Sequence, residues 1–204
     1  MSLLVLDKFV ERRLRAQRKA WGVDQHDEVW EGVYVMSPIA DDEHQALVTG
    51  LTTAFQVVIG ETGLGKVRPG INVSDRVERW TKNYRTPDVV VILNSSAAQN
   101  HGKFWTGPLD FVVEIVSRGD RSRHKLPFYS KIGVRELLLV DRKPWRLTLY
   151  RHDGNKLQLV SSCQGTEGTP LEIEVLPFHL RLVAGAERPT IELRNKTDGR
   201  TWYA

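Results

Sequence analysis

Phe111-Val112-Val113-Glu114-Ile115-Val116 is an apolar run interrupted once, by a carboxylate. Strand alternation puts the Glu114 side chain on one sheet face with Val112 and Val116. Two more runs have the same character: Val89-Val90-Val91-Ile92-Leu93, which follows Pro87-Asp88, and Arg135 to Asp141. Continuously apolar strands belong to a sheet covered on both faces. An ionised carboxylate inside such a sheet costs several kcal/mol unless it is compensated. A divalent cation would compensate Glu114, and so would an arginine. Asp88 poses the same question at the mouth of its own strand. Two carboxylates at the ends of adjacent buried strands can converge on one Mg²⁺ or Mn²⁺, which suits phosphodiester hydrolysis. On the residues alone, a metal site and a structural salt bridge both fit.

Outward from these strands, residues 3–20 read as an amphipathic helix with Leu3, Leu6, Val10 and Leu14 on one stripe. Val29 to Met36 reads as strand, glycine-containing turn, strand. Leu47, Val48, Leu51, Phe55 and Val58 recur at helical spacing from Asp41 to about Ile59, with His44 on the same stripe. Asp41, Asp42 and Glu43 suit the positive end of that helix. A short helix between Ser122 and Ile132 ends at Gly133. Arg146 to Tyr150 pairs with the Arg135–Asp141 strand. Helices and strands in this order predict an α/β domain with a central mixed sheet. Gly60-x-x-x-x-Gly65-Lys66 resembles a phosphate loop, but Val67 stands where Ser or Thr must hold magnesium, and a helix-to-strand turn is the better reading.

At 204 residues the chain suits one domain. No apolar run approaches the roughly 20 residues of a membrane span, and Met1–Leu6 lacks the basic flank of a signal peptide, so a cytoplasmic protein is expected. The single Cys163 excludes an internal disulfide and a cysteine zinc cage, and its polar neighbours read as a loop. Net charge is only +4, yet basic residues are bunched. Lys8, Arg12, Arg13, Arg15, Arg18 and Lys19 form one group, and Arg118, Arg121, Arg123, His124 and Lys125 another. Either can attract phosphate, and either can be a solvated face.

Tyr84-Arg85-Thr86-Pro87-Asp88-Val89-Val90-Val91, then Phe111 to Ser117, then Lys125-x-x-x-Tyr129-x-x-x-Gly133-Val134-Arg135-Glu136-Leu137-Leu138-Leu139-Val140-Asp141 resemble the Uma-two family of restriction-type endonucleases. Glu28-x-x-Glu31-Gly32-Val33-Tyr34-Val35-Met36-Ser37-Pro38 and His44-Gln45 agree too. The similarity spans about residues 25 to 155, with a weak match at Leu176-Pro177-Phe178. It implies a restriction-endonuclease-like core of the PD-(D/E)XK kind: a central mixed β-sheet flanked by helices, with an added N-terminal helix. The expected division is a basic N-terminal helix over 1–24, the nuclease-like domain over 25–184 and a polar tail over 185–204, with the first and last segments outside the matched core.

The resemblance further implies a Mg²⁺ or Mn²⁺ held by Asp88, Glu114 and the backbone carbonyl of Ile115, with DNA as substrate. The superfamily's lysine stands two residues after the glutamate, where this chain has Val116; in this family it matches Lys125, which shares a helix face with Tyr129. Glu43, Glu28 and Glu31 are candidates for a further acid. His44, Gln45 and Tyr129 are candidate substrate contacts or supports, and Arg118, Arg121 and Arg123 candidate phosphate contacts. Two features depart from the family: Ser117-Arg118-Gly119-Asp120 replaces its usual Ser-Pro or Ser-Thr, and Glu31 stands where Asp is common. The first bears on specificity and activity. The alternatives are a catalytically idle nucleic-acid-binding or assembly protein, and a purely structural role for the two acids. Sheet edges and the apolar N-terminal stripe suit a homodimer.

Overall fold

A computed structural model describes residues 2–117, 119, 121–166 and 168–204. Its centre is a six-stranded sheet in the order Leu157–Gln164, Trp145–His152, Glu136–Arg142, Phe111–Val116, Val89–Leu93, Gly65–Pro69. Phe111–Val116 runs parallel to Glu136–Arg142, with Glu114 opposite Leu139. All other neighbours are antiparallel. The sheet is therefore mixed. Its one parallel pair is joined by a crossover that contains helix α3, Leu126–Lys131.

Both faces are covered, as the apolar runs require. On one face α2, Asp42–Phe55, packs Leu47, Leu51 and Phe55 on Val89, Val91, Val113 and Ile115. Asp41 caps this helix, accepting from the His44 N–H at 2.8 Å. On the other face α3 packs Phe128 and Tyr129 against Val90, Val112, Leu137 and Leu139. Glu114 alternates with Val112 and so points to the α3 side.

A second sheet of short strands joins Leu3–Val5, Val33–Met36, Glu28–Trp30 and Tyr84–Arg85 in that order, and continues through three two-residue strands. Val29 lies opposite Tyr84, which brings Glu28 beside the segment leading into Asp88.

Three expectations change. The N-terminal stripe is divided, because Asp7 caps a helix α1 that starts only at Lys8 and ends at Ala20. Leu3 belongs to the preceding strand, Leu14 packs on the Val5–Val29–Tyr34 cluster, and Leu6 and Val10 are exposed. Cys163 lies in a strand, not a loop, fully buried opposite Leu147; Ser162 and Gln164 look polar because they face outward. Residues 190–203, within the stretch read as a polar tail, are built into the fold. They contribute Thr190–Asn195 and Thr201–Tyr203 to a four-stranded sheet whose Ile191 and Leu193 enter the main core. Among the described residues, no helix is long and apolar enough to cross a membrane.

Candidate metal and phosphodiester site

Asp88 immediately precedes Val89, and Val89 pairs with Val113, so Asp88 comes to lie opposite Glu114 on the same sheet face. The Ile115 N–H donates to Asp88 Oδ2 at 2.6 Å, and His44 Nε2 donates to Asp88 Oδ1 at 3.0 Å. His44 reaches it from the first turn of α2, with its Nδ1 3.4 Å from Ser117 Oγ.

Glu114 is only 2% exposed. Lys125 Nζ donates to Glu114 Oε1 at 3.0 Å and to Oε2 at 2.8 Å, and the Tyr129 hydroxyl donates to Oε1 as well. The helix-face pairing of Lys125 with Tyr129 therefore closes on this carboxylate. Glu28 completes the group, its Oε1 lying 2.8 Å from Lys125 Nζ. Burial pushes the Glu114 carboxyl above the usual carboxylate range, and Asp88 and Glu28 add to that rise against the pull of Lys125. Burial alone would lower Lys125, but Glu114, Glu28 and Asp88 outweigh it and hold the ammonium protonated. Burial, then Glu114 and Glu28, raise Tyr129 well above its ordinary value, so it remains a donor.

These groups line one cavity of about 360 Å³, together with Trp30, Gln45, Thr86 and Arg121. Ile115 lines it too, although its side chain is packed in the opposite core, so what it presents is main chain. Three carboxylates, Glu28, Asp88 and Glu114, meet one ammonium, Lys125, and one guanidinium, Arg121, so carboxylate is in formal excess. Among the described residues, no group of three or more His, Cys, Asp and Glu side chains stands close enough to grip a metal ion unaided. The donor set therefore does not fit a closed protein cage. It fits a hard divalent cation that keeps several waters and takes one or two carboxylates.

The remaining sequence candidates divide. His44 and Gln45 line the cavity. Glu31 does not: it sits at φ 45° in the turn before Gly32, mostly exposed, and bonds Asn83 and Arg76. Glu43 points away toward Arg142 and Arg188. Arg121 lines the cavity, whereas Arg123 donates to both oxygens of Asp141 at 2.7 Å. Arg118 lies outside the described residues. In α1, Lys8 and Arg15 pair with Glu11, and Arg18 pairs with Asp27. Sequence reading missed Trp30 and Thr86, which hold Glu28; the alternation that puts Trp30 on the Glu28 face was the available signal. Among the described residues, neither Glu114 nor Asp88 pairs with an arginine; the cation at Glu114 is Lys125.

A family model, Uma2, described as "Putative restriction endonuclease", matches residues 22–183. No curated protein matches the chain. Among solved structures, one similar chain is the crystal structure of "a putative nuclease belonging to DUF820" from Anabaena variabilis ATCC 29413. It superposes with a TM-score of 0.59 at 15% identity, over 72% of this chain and 81% of that one. At this identity the likeness speaks for the fold.

Proposed function

The chain belongs to the Uma2 family, and on that premise we propose that it is a metal-dependent endonuclease hydrolysing phosphodiester bonds in DNA. The observation that carries this reading is the convergence of Asp88, Glu114 and Lys125 on one cavity with an excess of carboxylate. Asp88, Glu114 and the Ile115 carbonyl would hold Mg²⁺ or Mn²⁺. Bound there, the cation would supply Lewis acidity toward a phosphoryl oxygen and toward water.

The chain's own groups have separable tasks. His44 and the Ile115 N–H orient Asp88. Tyr129 orients Glu114. Lys125, kept as an ammonium, stabilises negative charge developing on the phosphate and does not serve as a base. Arg121, at the cavity wall, holds a neighbouring phosphate without reading sequence. Hydrolysis adds the water oxygen to phosphorus, breaks one P–O ester bond and returns a proton to the departing alkoxide.

One observation favours a second reading, an idle scaffold that binds nucleic acid or a partner protein. Both carboxylates already accept hydrogen bonds from protein donors at every oxygen. The two readings part in one experiment. Supercoiled plasmid and single-stranded DNA are incubated with Mg²⁺ or Mn²⁺, and again with EDTA, using wild type and Glu114→Gln. Metal-dependent cutting that vanishes in the variant supports the nuclease. Equal cutting by both proteins removes Glu114 from the chemistry, and no cutting by either, with DNA still bound, favours the scaffold.

A further inference from the structure

We propose that Glu28 is the positioning residue for Lys125: it does not ligate the metal, and it keeps the ammonium in place when Glu114 turns to a cation. This rests on the reading of Lys125 as the charge-stabilising group of the site. Lys125 is wedged between two carboxylates, 2.8 Å from Glu28 Oε1 and 2.8 Å from Glu114 Oε2. Only one of them is free to change partners.

Glu28 is 1% exposed and fixed at both oxygens. Its Oε1 accepts from the Thr86 N–H at 2.8 Å as well as facing Lys125. Its Oε2 accepts from Trp30 Nε1 at 2.6 Å. Trp30 is held in turn by Arg85, whose guanidinium lies 4.6 Å from the indole centre. Thr86 N–H is fixed by the chain that runs on into Asp88. Glu28 is thus locked by main chain and by a packed aromatic ring, with its donors already supplied.

Glu114 differs. Its carboxylate accepts from two side chains, Lys125 and Tyr129, where that of Glu28 also accepts from the main chain. A cation taken by Glu114 would repel Lys125. With Glu114 as its only anchor, a buried ammonium would be left unpaired or would swing out of the site. Glu28 removes that conflict, because Lys125 keeps one carboxylate whichever way Glu114 turns. The cavity can then hold a divalent cation and the lysine together.

The test uses the full chain and two readouts that need no cleavage. The first is acylation of Lys125 by an amine-reactive ester in metal-free protein, followed by mass spectrometry. The second is Mn²⁺ binding, followed by electron paramagnetic resonance. Glu28→Gln is expected to speed Lys125 acylation by about 10-fold or more, as expected for a buried ion pair that has lost a partner, with other lysines unchanged. The same change should raise the Mn²⁺ dissociation constant by about 10-fold at most, the low end for a supporting group, and well short of the loss in Glu114→Gln.

Trp30→Phe removes the indole donor to Glu28 while keeping an aromatic ring beside Arg85, and should speed acylation to a smaller degree. It carries the test if Glu28→Gln does not fold. Unchanged acylation in the folded variants overturns the proposal. So does a Mn²⁺ loss in Glu28→Gln as large as in Glu114→Gln, since Glu28 would then be a ligand. Should wild type bind no Mn²⁺, the metal reading fails by itself, and the acylation rates alone decide whether Glu28 holds Lys125.

Discussion

The Ile115 N–H donates to Asp88 Oδ2 at 2.6 Å, so the carboxylate at the head of one central strand is gripped by the main chain of its neighbour. His44 Nε2 donates to the other oxygen. A main-chain donor and an imidazole donor facing one side chain call for two acceptors, which Asp supplies and Asn does not. Asp88→Asn must turn its own NH₂ toward one of them. The expected cost is about 1–3 kcal/mol, the range for a partly buried donor left unpaired, read from urea unfolding without metal. Unchanged stability would mean that the two donors do not hold Asp88 in solution.

Among the described residues, Lys125 is the only ammonium beside the Glu28, Asp88 and Glu114 carboxylates that line the cavity. Lys125→Met leaves Glu28 and Glu114 buried with no cation between them. Removing one partner from such a group costs about 3–5 kcal/mol at neutral pH. Mn²⁺ would replace the lost positive charge, so it should raise the melting temperature of the variant more than that of wild type, by linkage. Equal shifts in a thermal scan would mean that the cation binds elsewhere.

Part of this site was legible because burial and charge conflict openly in the sequence. A lone acid in Phe111–Val116 and an acid fixed by Pro87 need a reason to be there, and alternation gives them a face. Lys125 was different: on a basic stretch it looks like any solvated lysine, and only the family resemblance marked it. Glu28, Glu31 and Glu43 were indistinguishable as residue types. What separates them is backbone geometry. The pairing of Trp30 with Val33 makes Glu31-Gly32 the hairpin turn, both at positive φ, so Glu31 is carried outward while Glu28 points in. Glu43 follows the cap of α2 and meets Arg142, a contact between residues 99 positions apart that no local pattern reports. The strands after residue 184 were legible in principle, since Ile191 and Leu193 alternate with Glu192 and Arg194. Their polar partners masked the period.

Asp75 ties the second sheet to the end of α3. Its carboxylate accepts from Arg76 Nε at 2.7 Å and from Lys131 Nζ at 2.6 Å. Burial raises its pKa, but the hydrogen bonds and charges of Arg76 and Lys131 outweigh it and hold it well below the usual carboxylate range. A depressed folded pKa means that the stabilisation is present above the unfolded value, about 3.9, and is lost as pH falls through the folded one. Both cations are open to solvent and screened, which limits the effect to about 1–2 kcal/mol. Asp75→Asn should therefore lose that much at pH 7, and its deficit against wild type should shrink steadily below pH 4. A deficit that does not change with pH would assign the loss to packing instead of charge.

Arg121 and Arg123 stand two residues apart, but only Arg121 lines the cavity; Arg123 grips Asp141 with two contacts of 2.7 Å. If Arg121 contacts a phosphate, Arg121→Ala should weaken binding to all duplex sequences alike and reduce the slope of log K against log salt by about 0.9, one counterion's worth. Arg123→Ala should leave that slope alone and cost under about 1 kcal/mol of stability, because its ion pair is half open to solvent. Fluorescence anisotropy over a salt series, with EDTA present to prevent cutting, measures both. Equal slope losses would mean that Arg123 leaves Asp141 when DNA arrives. A loss in neither would place the DNA path on another face, and Arg121 would then be a wall of the cavity and nothing more.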